Sequence, residues 1–261
     1  MKDFIIPVDF SEASLNAARY AASMLSGKID SRVILYNMFK DEAEAATAAE
    51  YLESLKAELE QKGVSNIETV KEFGTDLIDN LGRLAYQKTA ELIIMGISEK
   101  DEWHQLFVGS KSVKMAEQNV CPVMIIPHIA QYNGITNIVL TSDFKDVEGT
   151  TPELAIKTVL DIFDCKLHIV NVDNQHYVSL TEEYLTERGK MQKMFADYNP
   201  EFYFIGMNDF YEAIEQFSKD KNIDLIIVIP KNHSFINNII SGSHTKKLAF
   251  RSSVPILAAH Q

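Results

Sequence analysis

The amino-acid sequence predicts an α/β fold: two doubly wound domains, each with a five-stranded parallel sheet and helices on both faces. Three observations support this prediction: an internal repeat, the alternation of short apolar runs with helical patterns, and a globular composition. The chain has 261 residues, of which 46% are hydrophobic and 24% are charged. This balance is typical of a protein that buries a sizeable core.

The repeat sets the domain organisation, because its two copies are each of the size of a small domain. Residues 91–95 (ELIIM) match residues 224–228 (DLIIV), and Gly109-Ser110 matches Gly242-Ser243, both at a spacing of 133 residues. Asp9-Phe10 matches Asp143-Phe144 at a spacing of 134. We therefore expect domains at residues 1–130 and 135–261, joined by the short polar stretch 128–134 with its Asn-Gly turn.

The elements of the first domain follow from its apolar runs. Residues 4–8 predict the first strand, and Ser11 is the expected N-cap of a helix with Leu15, Ala18, Ala22 and Leu25 on one face. Further strands are expected at residues 32–38, 66–71, 92–95 and 123–126. Further helices are expected at residues 41–61 and 76–87 and from Ser110 onwards.

The second domain repeats this order. Its strands are expected at residues 138–141, 166–172, 201–205, 225–229 and 256–258. Strands separated by helices indicate a parallel sheet, and right-handed crossovers then make each sheet doubly wound.

Charge and cysteine content exclude several classes of protein. The 25 Lys+Arg and 37 Asp+Glu residues give a net charge of −12, which argues against a nucleic-acid surface. Cys121 and Cys165 are too few for a disulfide framework or a zinc cluster, so we expect a cytoplasmic protein. Asp9 and Glu12 precede any long apolar run, so no signal peptide is expected, and no membrane span is indicated either.

Doubly wound sheets bind ligands beyond the carboxyl ends of their strands, at the point where the strand order reverses. In the first domain this point brings the loop after the first strand (Pro7 to Ser11) towards Gly96, which directly follows the fourth strand. Gly109-Ser110 begins a helix, where backbone N–H groups favour phosphate, and the Ser110 and Ser112 hydroxyls add donors. Asp9 is suited to accept hydrogen bonds from a base or ribose. The alternatives are that Asp9 caps a helix and that Gly109 is an ordinary loop glycine.

These motifs resemble the universal stress protein family. The resemblance rests on Pro-Val-Asp-Phe-Ser at residues 7–11, Glu-Leu-Ile-Ile-Met-Gly at 91–96, and Gly-Ser followed by a Cys-Pro-Val strand. Because both halves carry the pattern, the chain resembles a tandem universal stress protein. The resemblance implies adenine-nucleotide binding and pairing of two such domains, here within one chain, with a homodimer as a further option.

The resemblance also implies which residues bind the nucleotide in the first domain. Asp9, after Pro7, lies on the adenine or ribose side, and the backbone of Met38 meets adenine. Gly96 is the first loop glycine. The phosphate-facing turn is formed by Gly109, Ser110, Lys111 and Ser112. The implied ligand is ATP or AMP, with or without Mg²⁺. Glu99 replaces the second loop glycine, and its negative charge beside the expected phosphates would weaken a triphosphate more than a monophosphate. The alternatives are that Glu99 turns outwards or that it helps to hold a metal ion.

The second domain departs further from the pattern. Asp143, Gly242, Ser243 and Thr245 persist, but Ile229 and Asn232 replace the upstream glycines and Pro230 removes a backbone donor. His233 and His244 are either an anion contact or polar loop residues. We expect this half to bind nucleotide poorly.

Two functions from different classes remain. The first is a stress-response sensor or regulator that binds an adenine nucleotide mainly in the first domain. The second is an interaction module that has lost nucleotide binding and docks a protein partner. Catalysis is not expected, because dinucleotide, P-loop and His-Glu-x-x-His motifs are absent from the sequence; slow ATP hydrolysis stays open.

Overall fold

The structure, a computed structural model, describes residues 1–97, 111–116, 118, 120–173, 181–229 and 254–259. The chain forms two compact units, Met1–Tyr132 and Asn133–Gln261. Within each unit the strands that pair run parallel to one another, with helices between them, so the predicted α/β fold is confirmed.

The first unit alternates strands and helices along the chain. Its strands are β1 (Lys2–Pro7), β2 (Ser31–Phe39), β3 (Ile67–Phe73), β4 (Leu92–Ile97) and β5 (Val123–Pro127). Its helices are α1 (Glu12–Leu25), α2 (Glu44–Gln61), α3 (Leu77–Lys88) and α4 (Lys111–Ala116).

The sheet of the first unit has the order β3-β2-β1-β4-β5. The chain moves outward from β1 through β2 to β3 and then returns to the other side of β1, so the order reverses between β1 and β4. Helix α1 contacts α2, and α3 contacts α4, as expected when right-handed crossovers place the two pairs on opposite faces. Ile5 and Ile6 of β1 are fully buried, which explains the continuous apolar run of this central strand.

Helix α1 follows β1 closely because its first turn is capped. The Ser11 hydroxyl accepts a hydrogen bond from the backbone N–H of Ser14 at 3.3 Å, which satisfies one of the free donors of the turn. Small side chains then line the buried face, among them Ala17 and Ala21. These alanines let the helix axis lie close to the sheet.

The second unit has the strands β6 (Asn137–Thr141), β7 (Lys166–Val172), β8 (Glu201–Ile205), β9 (Leu225–Val228) and β10 (Ile256–Ala258). Its described helices are α5 (Val147–Thr150), α6 (Glu153–Leu160), α7 (Glu182–Met194) and α8 (Phe210–Lys221). Its strand order, β8-β7-β6-β9-β10, corresponds strand by strand to the order β3-β2-β1-β4-β5 of the first unit.

The two units also share the positions of the residues that begin and end a pair of corresponding helices, α3 and α8. Asp76 and Asp209 cap α3 and α8 through two backbone N–H groups each. Thr89 and Asn222 end the same helices in the left-handed conformation. Both pairs of capping residues recur at the spacing of 133 residues that the sequence repeat predicts.

The first helix of the second unit differs from its counterpart. It is interrupted into α5 and α6, with Pro152 standing immediately before α6. Proline lacks the backbone donor and its ring clashes with the preceding turn, so a continuous helix like α1 cannot pass through this position. Among the residues that the structure describes, none of the helices is long and apolar enough to cross a membrane.

Candidate functional site

A cavity of about 270 Å³ opens at the carboxyl ends of the strands in the first unit. Its described lining comes from the ends of β1, β2 and β4, the first turn of α1, and the beginnings of α3 and α4. This is the switch point between β1 and β4, where doubly wound sheets bind ligands. The lining residues are Pro7, Val8, Asp9, Ser11, Ala13, Ser14, Tyr36, Met38, Lys40, Leu77, Met95, Gly96, Lys111 and Ser112.

Asp9 is held in a network at the start of α1. Its Oδ1 accepts hydrogen bonds from the Ser11 backbone N–H at 3.1 Å and from the Ser11 hydroxyl at 2.6 Å. Its own backbone N–H donates to Ser14 Oγ at 3.3 Å. The Ser14 hydroxyl in turn donates to the Ser11 carbonyl at 3.1 Å. The position of the Asp9 carboxylate therefore depends on where the first turn of α1 lies.

The same network tunes the charge of Asp9. Partial burial in the cavity acts to raise the pKa of this carboxyl, but the hydrogen bonds from Ser11, the neighbouring Ser14 hydroxyl and the positive charge of Lys111 together outweigh burial. The net effect lowers the pKa of Asp9, so the group is ionised at neutral pH. An ionised carboxylate accepts hydrogen bonds and does not donate them, which suits a ligand that presents hydroxyl or amino groups.

Phe10 follows Asp9 with a positive φ of 61°, a conformation that bulky residues rarely adopt. Its ring centroid lies 5.2 Å from that of Tyr51 on α2. Backbone strain of this kind is concentrated at functional turns. Here it allows the chain to turn sharply from β1 into α1 while the Asp9 side chain stays at the cavity.

The β2 side of the cavity is formed by alternate residues of one strand face. Tyr36 is fully buried, and its hydroxyl donates to Glu72 Oε2 on β3 at 2.8 Å. Burial and the neighbouring carboxylate both raise the pKa of Tyr36, so the ring is a neutral wall. Met38 follows on the same face, and Lys40 lies at the open end.

The β4 side is closed by Gly96 and Ser112. The Ser112 hydroxyl donates to the Gly96 carbonyl at 2.8 Å, and Ser112 is only 2% exposed. Its single hydroxyl proton is therefore used to hold α4 against β4. Ser112 is left only its oxygen lone pairs for a ligand.

The described lining carries more positive than negative charge. Lys40 and Lys111 are its two basic residues and Asp9 is its one acidic residue. This local excess contrasts with the net charge of −12 of the whole chain. The cavity is therefore suited to an anionic ligand.

The structure brings six of the eight predicted site residues to one cavity: Pro7, Asp9, Met38, Gly96, Lys111 and Ser112. Gly109, Ser110 and Glu99 lie outside the described residues. Four lining residues were not predicted from the sequence: Ser14, Tyr36, Lys40 and Leu77. Tyr36 and Lys40 reach the cavity through alternation along β2, and Ser14 and Leu77 reach it through the packing of α1 and α3. Alternation from Met38 along β2 is the signal that would have found Tyr36 and Lys40.

The corresponding loop of the second unit is built differently. The Val147 backbone N–H at the start of α5 donates to Glu187 Oε2 of α7 at 2.7 Å. Phe144 has a positive φ and an aromatic neighbour, Tyr184 at 5.1 Å, as Phe10 has Tyr51, but Phe144 is only 3% exposed whereas Phe10 is half-buried. Side chains of α7 thus occupy the start of this loop.

Asp143 keeps the turn of Asp9, since its Oδ1 accepts from the Lys145 backbone N–H at 3.1 Å. Ile229, at the position of Gly96, is 7% exposed. The other second-unit residues of the predicted pattern, Pro230, Asn232, His233, Gly242, Ser243, His244 and Thr245, lie outside the described residues. Metal-ligating side chains do not gather in groups of three or more anywhere in the described ranges.

Comparisons with known proteins agree with this architecture. Residues 1–127 match the model of the Universal stress protein family. A universal stress protein from Archaeoglobus fulgidus DSM 4304 is 17% identical, with a TM-score of 0.70 over 99% of this chain and 96% of that chain. A functionally unknown protein from Pseudomonas aeruginosa PAO1 is 13% identical, with a TM-score of 0.66 over 100% of this chain and 92% of that chain.

A universal stress protein in complex with cAMP is 20% identical, with a TM-score of 0.43 over 49% of this chain and 97% of that chain. A comparison with curated protein sequences finds no match. At identities of 17% and 13%, the two full-length similarities are similarities of fold.

Proposed function

We propose that the chain is a tandem universal stress protein that binds an adenine nucleotide, ATP or AMP, in its first unit. In this proposal it is a cytoplasmic sensor or regulator and not a catalyst. The observation that carries the proposal is the cavity at the switch point of the first unit, whose described lining contains one carboxylate and two lysines. The family match of residues 1–127 supports the same assignment.

The cavity offers one kind of contact to each part of a nucleotide. Its inner wall is apolar, with Val8, Tyr36 and Met95 buried, and suits the flat base. The ionised Asp9 is an acceptor for ribose hydroxyls or base amino groups. Lys111 supplies a cation for the phosphate. A volume near the lower end of the roughly 300–1,000 Å³ typical of ligand pockets fits a base and ribose whose phosphates extend outwards.

Charge favours a nucleotide over the uncharged nucleoside. Each lysine gains by facing a phosphate, because hydrogen bonds to charged groups are worth about 1.5–3 kcal/mol each. Glu99, at the position of the second loop glycine, adds a negative charge that acts against a long phosphate chain because like charges repel. We therefore expect AMP to bind at least as well as ATP. Mg²⁺ would improve ATP binding by neutralising its phosphates, and carboxylate oxygen is the donor it prefers; the one described pocket carboxylate, Asp9, is assigned here to the ribose or base side.

The two units differ in this function. The Val147 N–H at the start of α5 is already bonded by Glu187 of α7 in the second unit. Ile229 replaces Gly96 there. We propose that one nucleotide binds per chain, in the first unit.

Isothermal titration calorimetry with AMP, ADP and ATP tests the proposal. The wild type should bind one nucleotide per chain, Asp9→Ala should abolish or severely weaken binding, and Asp143→Ala should leave it unchanged. Asp143 is the matched control because it forms the same backbone turn in the second unit.

Absence of heat at millimolar nucleotide, with the wild type indistinguishable from Asp9→Ala, would favour the second function, a protein-docking module. Glu99, Ile229 and Asn232, which depart from the binding pattern, are the sequence features that favour that function. The non-catalytic assignment is checked separately: steady-state release of phosphate from ATP, lost on a single pocket substitution, would overturn it.

A further inference from the structure

Gly96 stands where β4, α1 and α4 meet, and we propose that it is the positioning residue of the pocket. In this role Gly96 sets the first turn of α1, and with it the Asp9 carboxylate, relative to Lys111. The proposal concerns how the cavity is assembled; only its affinity readout rests on the proposed nucleotide function.

The contact between Gly96 and α1 is too close for any side chain. A Cβ built on Gly96 would overlap the carbonyl oxygen of Ala13 and lie 3.1 Å from the backbone N of Ser14. Ala13 is a backbone obstacle in the capped first turn of α1, so it cannot rotate away as a flexible side chain would. Glycine at position 96 is required by this approach of helix and strand.

The other side of Gly96 is tied to α4. Its carbonyl accepts the hydrogen bond from the buried Ser112 hydroxyl at 2.8 Å. Lys111 is the neighbour of Ser112 and is the residue whose charge acts on Asp9. One residue thus joins the helix that carries the Asp9 network to the helix that carries Lys111.

Displacing the first turn of α1 disturbs Asp9 through Ser14. The Asp9 backbone N–H donates to Ser14 Oγ at 3.3 Å, and the hydrogen bonds from Ser11 together with the neighbouring Ser14 hydroxyl oppose the effect of burial on the pKa of Asp9. A side chain at position 96 pushes against Ala13 and Ser14. The pKa of Asp9 then rises, and the ionised acceptor becomes less favourable at neutral pH.

The second unit shows what accompanies a side chain at this position. Ile229 replaces Gly96, and the helix that corresponds to α1 is not continuous: α5 ends after four residues at Thr150. Asp146, which caps α5, has a left-handed φ of 46°. The two units therefore differ both at position 96 and in their first helix, and Pro152 by itself accounts for the break in that helix.

Gly96→Ala tests the proposal with two readouts. Carboxyl-detected NMR, with the Asp9 signal assigned by Asp9→Asn, should show a higher pKa of Asp9 in the variant than in the wild type. Calorimetry with AMP should show affinity lowered about tenfold or more. The pKa readout needs no nucleotide, so it decides the positioning role even if AMP fails to bind the wild type and the proposed function is wrong.

Gly82→Ala is the matched control, because it is the same change at a buried glycine in the same unit. A Cβ on Gly82 would lie 3.6 Å from Val120 Cγ2, an ordinary contact, and alanine suits the helix α3 that contains it. This control should change neither the pKa of Asp9 nor the AMP affinity by more than twofold. An unchanged pKa of Asp9 in folded Gly96→Ala would overturn the proposal.

Ser14→Ala covers the case in which Gly96→Ala does not fold. It removes the hydroxyl that links the first turn of α1 to Asp9 without adding any atom. The pKa of Asp9 should rise while the thermal midpoint stays close to that of the wild type. An unchanged pKa would overturn the link between helix and carboxylate on which the proposal depends.

Discussion

The buried histidine of the second unit predicts a loss of stability on mild acidification. His168 on β7 is 3% exposed and lies among aromatic rings, with centroids at 5.7 Å (Tyr203) and 6.0 Å (Phe217). Its Nε2 is 3.4 Å from Asn137 Oδ1, and its Nδ1 has no hydrogen-bond partner. The site therefore holds a neutral imidazole.

The charges around His168 do not reverse this preference. Burial lowers the pKa of His168; Glu201 on β8 acts in the opposite direction, and Lys221 on α8 and Lys166 on β7 lower the pKa further. The Nδ1 atom is 3.5 Å from Glu201 Oε2, but that carboxylate is already bonded by the Tyr203 hydroxyl at 2.5 Å. The net pKa of His168 in the folded protein is below its ordinary value.

A lowered pKa makes stability depend on pH in a defined direction. Below the ordinary histidine pKa of about 6.5, the unfolded chain binds a proton that the folded protein does not. The contribution of His168 is therefore fully present above that pH and is lost as the pH falls towards the pKa of the folded protein. The loss is at most about 1.4 kcal/mol per pH unit in this window.

Urea unfolding of the wild type and His168→Phe measures this effect. Between about pH 7.5 and 5.5 the wild type should lose more of its free energy of unfolding than the variant, which cannot titrate at position 168, by up to about 1.4 kcal/mol. Most carboxylates keep their charge in this range, and the remaining histidines are common to both proteins. Equal losses, or a wild type that gains stability through a His168–Glu201 ion pair, would refute the reasoning.

Three further predictions follow from single contacts. Lys111→Met should weaken AMP binding roughly ten- to hundredfold and reduce its salt dependence, because a cation facing the phosphate is lost; calorimetry at low and high salt checks this, with Lys114→Met on the same helix as the unaffected control. Asp3→Asn should cost about 1–3 kcal/mol in urea unfolding, because it weakens the bidentate pair of Asp3, which is 5% exposed, with Arg32, while Glu68 still pairs with Arg32; no measurable cost would show that the pair contributes little. Phe144→Ala should lower the free energy of unfolding by about 3–5 kcal/mol and Phe10→Ala by less, because Phe144 is more deeply buried. A lower melting temperature for Phe10→Ala than for Phe144→Ala would contradict the packing described for the two loops.

Much of the fold is accessible from the sequence because apolar runs and repeat spacing are local signals. Strands β7, β8 and β10 have the predicted bounds, and the others differ by one or two residues at their ends. The interruption at Pro152 was not predicted, because the repeat suggested a copy of α1. The proline itself was a sufficient signal for the break.

The site could be predicted only in part, for a physical reason. Asp9, Met38 and Gly96 follow strands that the switch-point rule brings together, so their convergence is a consequence of topology. Two contacts of Gly96 depend on how closely the helices approach the sheet. They are the hydrogen bond that its carbonyl accepts from Ser112 and its close approach to Ala13. That approach is decided by packing between distant segments and has no local pattern in the sequence.

Hydrogen–deuterium exchange with and without AMP tests the central claim most directly, because it reports both whether a nucleotide binds and where. The account predicts protection at the carboxyl ends of β1, β2 and β4 and at the first turn of α1, with no change at the loop that contains Asp143. Protection at the Asp143 loop, or no protection anywhere at saturating AMP, would contradict a nucleotide site in the first unit.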